Sequence, residues 1–416
     1  IYPRSVTGEQ RPVVLPEDAT VIIPTVDPYS DDFGATMASV LRSGVRAVII
    51  SAVGPEQTAA AAEHWVQHGR NGGGESTTDV LVVESSRPNK RWQLAAAMPL
   101  VQTELVILAD DHVFWPKDFV EHILAPFEDP KVGGVCCQKR VRRERPEMNF
   151  LRAAGATTMT SNWSIDGVLL LLAGMWSALS ADLLNFLACL YMERYNFELR
   201  GSTGTDGSVY VISGRTAAYR TSIVQDRAFL DHFCNEYWLY GFGKAGPLNS
   251  EDDNCITRHL FDNGWRIRFQ SGPQATMETR LGVEGGWTKF MQQNVRWARS
   301  APRSNSTMLR SAAVYKTQPL SVYAVWIARI FNFTLYHDAA LVWLAHASGV
   351  VSPWHMLALI LATKMLKPLP HFLRHPEDLV YVPAMILFAW FHSFIKTWAV
   401  ITILETGWGS RPGVVA

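Results

Sequence analysis

Four short apolar runs, separated by helix-patterned stretches, dominate the first quarter of the chain and leave few folds open to it. They occupy residues 20–24, 47–53, 79–84 and 105–109. Helical patterns lie between them: 32–43, which opens on acidic residues and closes on Gly44, then the alanine-rich 55–68, then 91–101. Strands that are apolar throughout, rather than alternating, are those buried on both faces of a parallel sheet, and the intervening helices supply its crossovers. The prediction is an α/β domain with a doubly wound, mostly parallel sheet over residues 19–310, after a proline-punctuated lead-in at 1–18. Ligands of such sheets bind beyond the carboxyl ends of the strands. The acidic stop Ala109-Asp110-Asp111-His112, directly after the fourth run, falls where a site belongs.

The last hundred residues read differently. Segments 319–345, 354–367 and 381–404 are mostly apolar, and about 20 helical residues cross a bilayer core. They are predicted as membrane helices, the short middle one being re-entrant, interfacial or tilted; buried helices of a large soluble domain are the alternative. Arg329, His337, Asp338 and Lys396 lie within these runs and are expected to face a pore or to pair with one another. An apolar fraction of 48% with 15 Trp and 19 Phe suits a chain partly in lipid. A further apolar stretch, 168–190, is read as a core or interfacial helix, because a crossing there would separate the two halves of the domain. Lys+Arg and Asp+Glu both number 38, so no overall field draws in nucleic acid. The five cysteines are odd in number and lack zinc-ligand spacing, so they are read as reduced. The chain opens at Ile1 without methionine or signal peptide, and a longer natural N-terminus is expected.

Three segments carry chemistry. The acidic stop at Asp110 and Asp111, ahead of His112, offers hard oxygen ligands for Mg²⁺ or Mn²⁺ bridging a diphosphate, or an Asp there simply caps the next helix. Ser250-Glu251-Asp252-Asp253 precedes a helical stretch and reads either as a general base or as an N-cap. Gln293-Asn294-Val295-Arg296-Trp297 precedes the first apolar run; its Arg can neutralise a leaving diphosphate and its Trp can pack against a sugar face. Each is weak alone. Their order, followed by membrane helices, is specific.

In that order the chain, from Val21 to Arg411, resembles the processive family 2 glycosyltransferases, the group of cellulose, chitin and hyaluronan synthases. The resemblance implies a GT-A-like fold followed by C-terminal transmembrane helices, a nucleotide diphosphate sugar donor, a UDP-sugar by preference, and a growing glycan as acceptor. It also implies Mg²⁺ or Mn²⁺ as cofactor and a multi-pass protein of the plasma membrane with a cytoplasmic site. Asp111 stands at the last position of the family's D-x-D motif, whose first position is Ala109, so Asp110 or His112 is left to complete the metal site. Glu251 and Asp252 match the catalytic T-E-D motif, with Asp252 as the base. Gln293, Arg296 and Trp297 match Q-x-x-R-W on the donor side, Trp297 reaching the acceptor. Lys90 matches the lysine beside the donor diphosphate. Ser213 and Gly214 match the small-residue turn beside the acceptor, and Trp408 lies in Trp408-Gly409-Ser410-Arg411, within the tail 405–416, like the W-G-T-R of hyaluronan synthases. The overall likeness is to fungal polysaccharide synthases of the capsule type. The usual acidic pair after the second strand is replaced by Ser51-Ala52-Val53-Gly54, so that either Pro24, Thr25 and Glu84 recognise the base or the nucleotide preference differs. With so few spans, a pore would need upstream helices or a second copy of the chain. A nonprocessive lipid-linked sugar transferase and a catalytically degenerate membrane scaffold are the competing readings. The basic run from Lys139 to Arg145 reads as a solvated face, with phosphate or anionic lipid as its alternative partner.

Overall fold

The computed structural model describes residues 14–66, 78–145, 165–212, 214–240, 243–282 and 285–407. Ser213, Trp408 and the side chain of Arg329 lie outside the described residues. The four apolar runs form β1 (Ala19–Pro24), β2 (Ala47–Val53), β3 (Asp79–Ser85) and β4 (Leu105–Ala109), mutually parallel in the order β3-β2-β1-β4. Their crossovers carry α1 (Asp31–Leu41), α2 (Pro55–Ala61) and α3 (Lys90–Ala97). Neighbouring residues of β1 point to opposite faces. Ile22 packs with Leu94 and Ala97 of α3, whereas Val21 and Ile23 pack with Phe33, Met37 and Val40 of α1. All are essentially inaccessible, and burying each aliphatic chain is worth about 1.5–3 kcal/mol.

Beyond β4 the sheet continues with strands that the sequence pattern leaves less plain. β5 (Val113–Phe114), β6 (Val132–Val141), β7 (Thr216–Arg220), β10 (Arg266–Gln270) and β11 (Thr276–Thr279) complete nine strands, while β8 (Trp238–Tyr240) and β9 (Gly243–Ala245) form a separate pair. β7 runs antiparallel between β4 and β6, so the sheet is mixed although most of its pairings are parallel. That reversal brings the Gly214-Arg215 turn to the end of β4, where the Asp110 amide donates to the Arg215 carbonyl at 2.8 Å.

The expected 168–190 helix is part of a longer one, α4 (Ile165–Asp206), of 42 residues. Trp176 is 70% exposed near its start, whereas Leu184, Phe186, Leu187 and Leu190 are buried against Phe290, Phe372 and Met385. The basic run is not a solvated face. Lys139 is buried, Arg142 lies over the Phe114 ring, and Arg143 joins Asp182 of α4 to Asp378, just ahead of the last apolar segment.

After α5 (Asp252–Asp262) and α6 (Gly286–Ser300), the segment expected as one span over 319–345 divides. A π-helical stretch, Ala324–Phe331, ends at Asn332 and Phe333, whose non-helical backbone separates it from α7 (Thr334–Ser348). α8 (Pro353–Lys364) has 12 residues, and only Pro376–Ile401, containing α9 (Val382–Ile401), is long and apolar enough to cross a membrane among the described residues. Two of the polar groups foreseen in these runs are partnered. Asp338 pairs with Lys364 at 2.6 Å and accepts from Trp390, and Lys396 donates to the Asn332 carbonyl at 2.8 Å.

Candidate active site

A cavity of about 700 Å³ opens beyond the carboxyl ends of β1 and β4 and runs beneath α6. It gathers most of the residues singled out in the sequence. Pro24, Lys90, Asp110, Asp111, His112, Gly214, Glu251, Asp252, Gln293, Arg296 and Trp297 all line it.

Lys90 is its central junction. Asn89 caps α3, accepting from the Arg91 amide at 2.9 Å, and so fixes the direction in which Lys90 leaves the helix. The ammonium reaches Asp110 at 2.7 Å, Asp252 at 3.1 Å and the Gly214 carbonyl at 2.6 Å. Burial alone would lower its basicity, but the charges of Asp110 and Asp252 outweigh burial and raise it. Burial pushes Asp110 the other way, yet Lys90, then His112 and Arg215, hold it below the usual carboxylate range. The side chain of Lys90 thereby ties the end of β4 to the start of α5.

The Ser250–Asp253 segment is held from behind by groups the motifs do not name. Arg91, fully buried, donates to the carbonyls of Phe233, Ser250 and Glu251 and pairs with Glu236 at 2.8 Å. Glu251 adopts φ 71°, a left-handed backbone uncommon for a residue with a side chain and worth about 1–3 kcal/mol of strain. Its carboxylate is held by groups on the far side of the loop. It accepts from Arg303 through Nε at 3.0 Å and from Ser300 at 3.1 Å, which makes Glu251 a positioning residue. Arg303 also donates to the Ile403 and Glu405 carbonyls, bolting the loop to the chain that follows α9.

Asp252 and Asp253 start α5. A Cβ on Gly214 would sit 3.3 Å from the Asp252 Oδ2, so a residue without a side chain keeps that oxygen accessible. Asp253 accepts from the Gly214 amide at 3.2 Å and from the Asn254 amide at 2.8 Å. Burial, and then the neighbouring charge of Asp252, push its carboxyl up to about 6.

At the end of β4, His112 lies between Asp111 and Arg215, each at 2.8 Å. Arg215 can only donate, so His112 accepts through Nε2 and donates through Nδ1 to Asp111. This arrangement fits a divalent ion with Asp111 as its protein ligand. The Asp111 carboxylate is partly open to the cavity, and hard ions of the Mg²⁺ kind commonly take only one or two carboxylates, the rest coming from substrate phosphates and water. Asp110 is committed to Lys90, and His112 orients Asp111. A different trio, His232, Glu236 and Cys255, brings its ligand atoms within 4.8 Å of one another. Arg91 and Arg258 already neutralise its Glu236, and burial, with Glu236 next, pushes the Cys255 thiol up to about 12, so it does not suit a cation.

On α6, Gln293, Arg296 and Trp297 face the cavity because residues three and four apart share one side of a helix. Trp297 stacks on Tyr191 of α4 with centroids 4.6 Å apart. Burial, then the Arg215 charge, lowers Arg296 to about 10.

The residues expected to recognise the base divide. Pro24 lines the cavity; Thr25 is fully buried, its carbonyl bound at 2.8 Å by Gln93, which also binds the Ser51 carbonyl; Glu84 is exposed and outside the lining. The acidic groups that do border this end are Asp27, Asp31 and Asp32, from the loop after β1 and the start of α1.

Residues 16–300 match the family model described as glycosyltransferase like family 2. A type 2 glycosyltransferase of Pyricularia oryzae is 32% identical over 410 residues, covering 96% of this chain and 75% of that protein. The NDP-glycosyltransferase ltbB of Aspergillus luteorubrus is 27% identical over 327 residues, covering 76% of this chain and 69% of that protein. Among solved structures, the Pyrobaculum calidifontis mannosyltransferase PcManGT, in complex with GDP-Man and Mn²⁺, shares the fold. Its TM-score is 0.50 at 15% identity, covering 96% of this chain and 89% of that one.

Proposed function

Because this chain belongs to the glycosyltransferase-like family 2 and is a nucleotide-sugar-dependent transferase, we propose that it is an inverting enzyme that extends a glycan at a membrane. The observation that carries the reading is the Lys90 junction, which places a candidate base, Asp252, 3.1 Å from a cation that also contacts the end of β4. The nucleotide diphosphate sugar, a UDP-sugar by preference, lies over β1 and β4, its base towards Pro24 and Asp27 and its phosphates towards Asp111, Lys90 and Arg296. Asp111 is the residue that would hold Mg²⁺ or Mn²⁺, oriented by His112. A bound ion supplies Lewis-acid stabilisation of the departing diphosphate.

Asp252 accepts the proton of the acceptor hydroxyl. The acceptor oxygen then forms its bond to the anomeric carbon from the face opposite the diphosphate. The bond from that carbon to the phosphate oxygen breaks, and the electron pair leaves with the nucleoside diphosphate, beside the cationic side chains of Lys90 and Arg296. Gly214 leaves room for the acceptor, and the Trp297–Tyr191 stack offers an aromatic face for its ring. General-base assistance of this kind contributes about 10²–10⁴-fold.

Support for the membrane comes from the C-terminal helices. Val350 is 83% exposed, Trp354 76% and Leu373 75%, apolar side chains that a bilayer would cover. In this reading α9 crosses the bilayer, and α7 and α8, too short to span, dip into one leaflet. The test is to supply purified protein with a panel of nucleotide sugars and Mn²⁺ or Mg²⁺ and to size the product. Metal-dependent release of one nucleoside diphosphate with a long product supports the polymerase. Transfer of a single sugar favours the nonprocessive lipid-linked alternative, and the absence of release from every donor favours a scaffold.

A further inference from the structure

Lys139 is a buried ammonium on the wall of the cavity, 5% exposed, that none of the proposed steps uses. Its placement is built. Asn196 of α4, itself fully buried, accepts from the Lys139 amide at 3.2 Å and donates to its carbonyl at 2.6 Å, pinning β6 at this residue. The residue before it in α4, Tyr195, presents its ring to the Lys139 Nζ at 3.8 Å from the centroid. Among the described residues this ammonium forms no ion pair. A cation seated on an aromatic face is stabilised by the ring quadrupole yet keeps its charge for a ligand, whereas one paired with a carboxylate does not. Burial, with Arg215 next in weight, pulls its basicity down to about 7, the mark of a cation that lacks a full counter-charge.

The position says which substrate it meets. β6 runs antiparallel to β7 with Cys136 opposite Ala217, which puts Lys139 across from the Gly214 turn whose amide binds Asp253. Lys139 and Asp253 lie within electrostatic reach of each other. Asp253 adjoins Asp252 at the start of α5, so Lys139 belongs to the part of the cavity that holds the candidate base.

We propose that Lys139 is a specificity-determining residue that binds an anionic substituent, a carboxylate or a phosphate, on the acceptor. The inference rests on the transfer reading, in which the acceptor lies beside Asp252. A neutral acceptor would leave Lys139 on the Tyr195 ring with no oxyanion in hydrogen-bond contact, Asp253 acting only at a distance, whereas an oxyanion there completes a charge-assisted hydrogen bond.

The experiment measures calorimetric affinities of glucose, glucuronate and glucose 6-phosphate for the protein saturated with nucleoside diphosphate and Mn²⁺, in wild type and in Lys139→Met. The expected result is at least tenfold tighter binding of one or both acids than of glucose in wild type, and a preference below about twofold in the variant. The carboxylate and phosphate arms identify which anion is read. Equal affinity for the three sugars, no binding of either acid, or a variant that keeps the preference overturns the proposal. The wild-type comparison stands even if the variant fails to fold. Nucleoside diphosphate release from the donor panel is scored separately, so failure of the transferase reading shows as absent release and failure of this one as absent acid preference.

Discussion

Replacing Arg303 by methionine isolates the link between the last helix and the candidate base. Arg303 and Glu251 are 1% and 2% exposed at their side chains, and the guanidinium also carries the Ile403 and Glu405 carbonyls. Removing one member of a buried ion pair costs about 3–5 kcal/mol, because the other is left charged and dry. Here the abandoned group is Glu251, whose second carboxylate oxygen is already buried without a hydrogen bond. The strained backbone at Glu251 would then lose what holds it, and Asp252 would shift with it. Urea unfolding followed by tryptophan fluorescence should show Arg303→Met less stable by about 3–5 kcal/mol, with nucleoside diphosphate release reduced in step. Adding Glu251→Gln should recover on the order of 2 kcal/mol, within the coupling seen between contacting residues. A loss below about 1 kcal/mol, or single losses that simply add, would refute the reasoning.

Lys90→Met leaves Asp110 and Asp252 without their shared cation, and a stability loss of about 3–5 kcal/mol together with weaker donor binding should appear in unfolding and calorimetry; unchanged stability would dismiss the junction. Lys139, lowered to about 7 by burial, keeps its proton to about 10 once unfolded. Between those values the unfolded state binds more protons, so this residue makes stability rise with pH; that rise should be smaller in Lys139→Met when unfolding is followed from pH 7 to 10. Trp354→Asp places a charge where lipid is proposed, and vesicle flotation should show reduced membrane association; equal flotation would argue that α8 lies elsewhere.

The sequence made parts of this arrangement plain for physical reasons. β1 to β4 were legible because strands buried on both faces are apolar throughout, and Asp110 and Asp111 because their place after the fourth strand and ahead of the other two motifs set them apart. β6 was not, since Gly133, Gly134 and the basic run hide its period, and whether a cation is buried depends on partners distant in the chain. Lys139 needs Asn196 and Tyr195 from α4, and Arg91 needs carbonyls near 233 and 250. The grip of Arg303 on Glu251 was equally hidden, since nothing near Glu251 in sequence announces it. Hydropathy saw the apolar tail but not the break at Asn332 and Phe333, because a change of backbone leaves an apolar run apolar. Asp27, which borders the cavity, was overlooked because the family pattern directs attention to the second strand rather than the first.

The central claim is that Asp252 accepts the proton of the acceptor. The direct test compares single-turnover release of nucleoside diphosphate in wild type and Asp252→Asn, with donor affinity measured on the same samples. The account predicts a rate lower by about 10²–10⁴-fold at nearly unchanged donor affinity. Turnover retained in Asp252→Asn would contradict it.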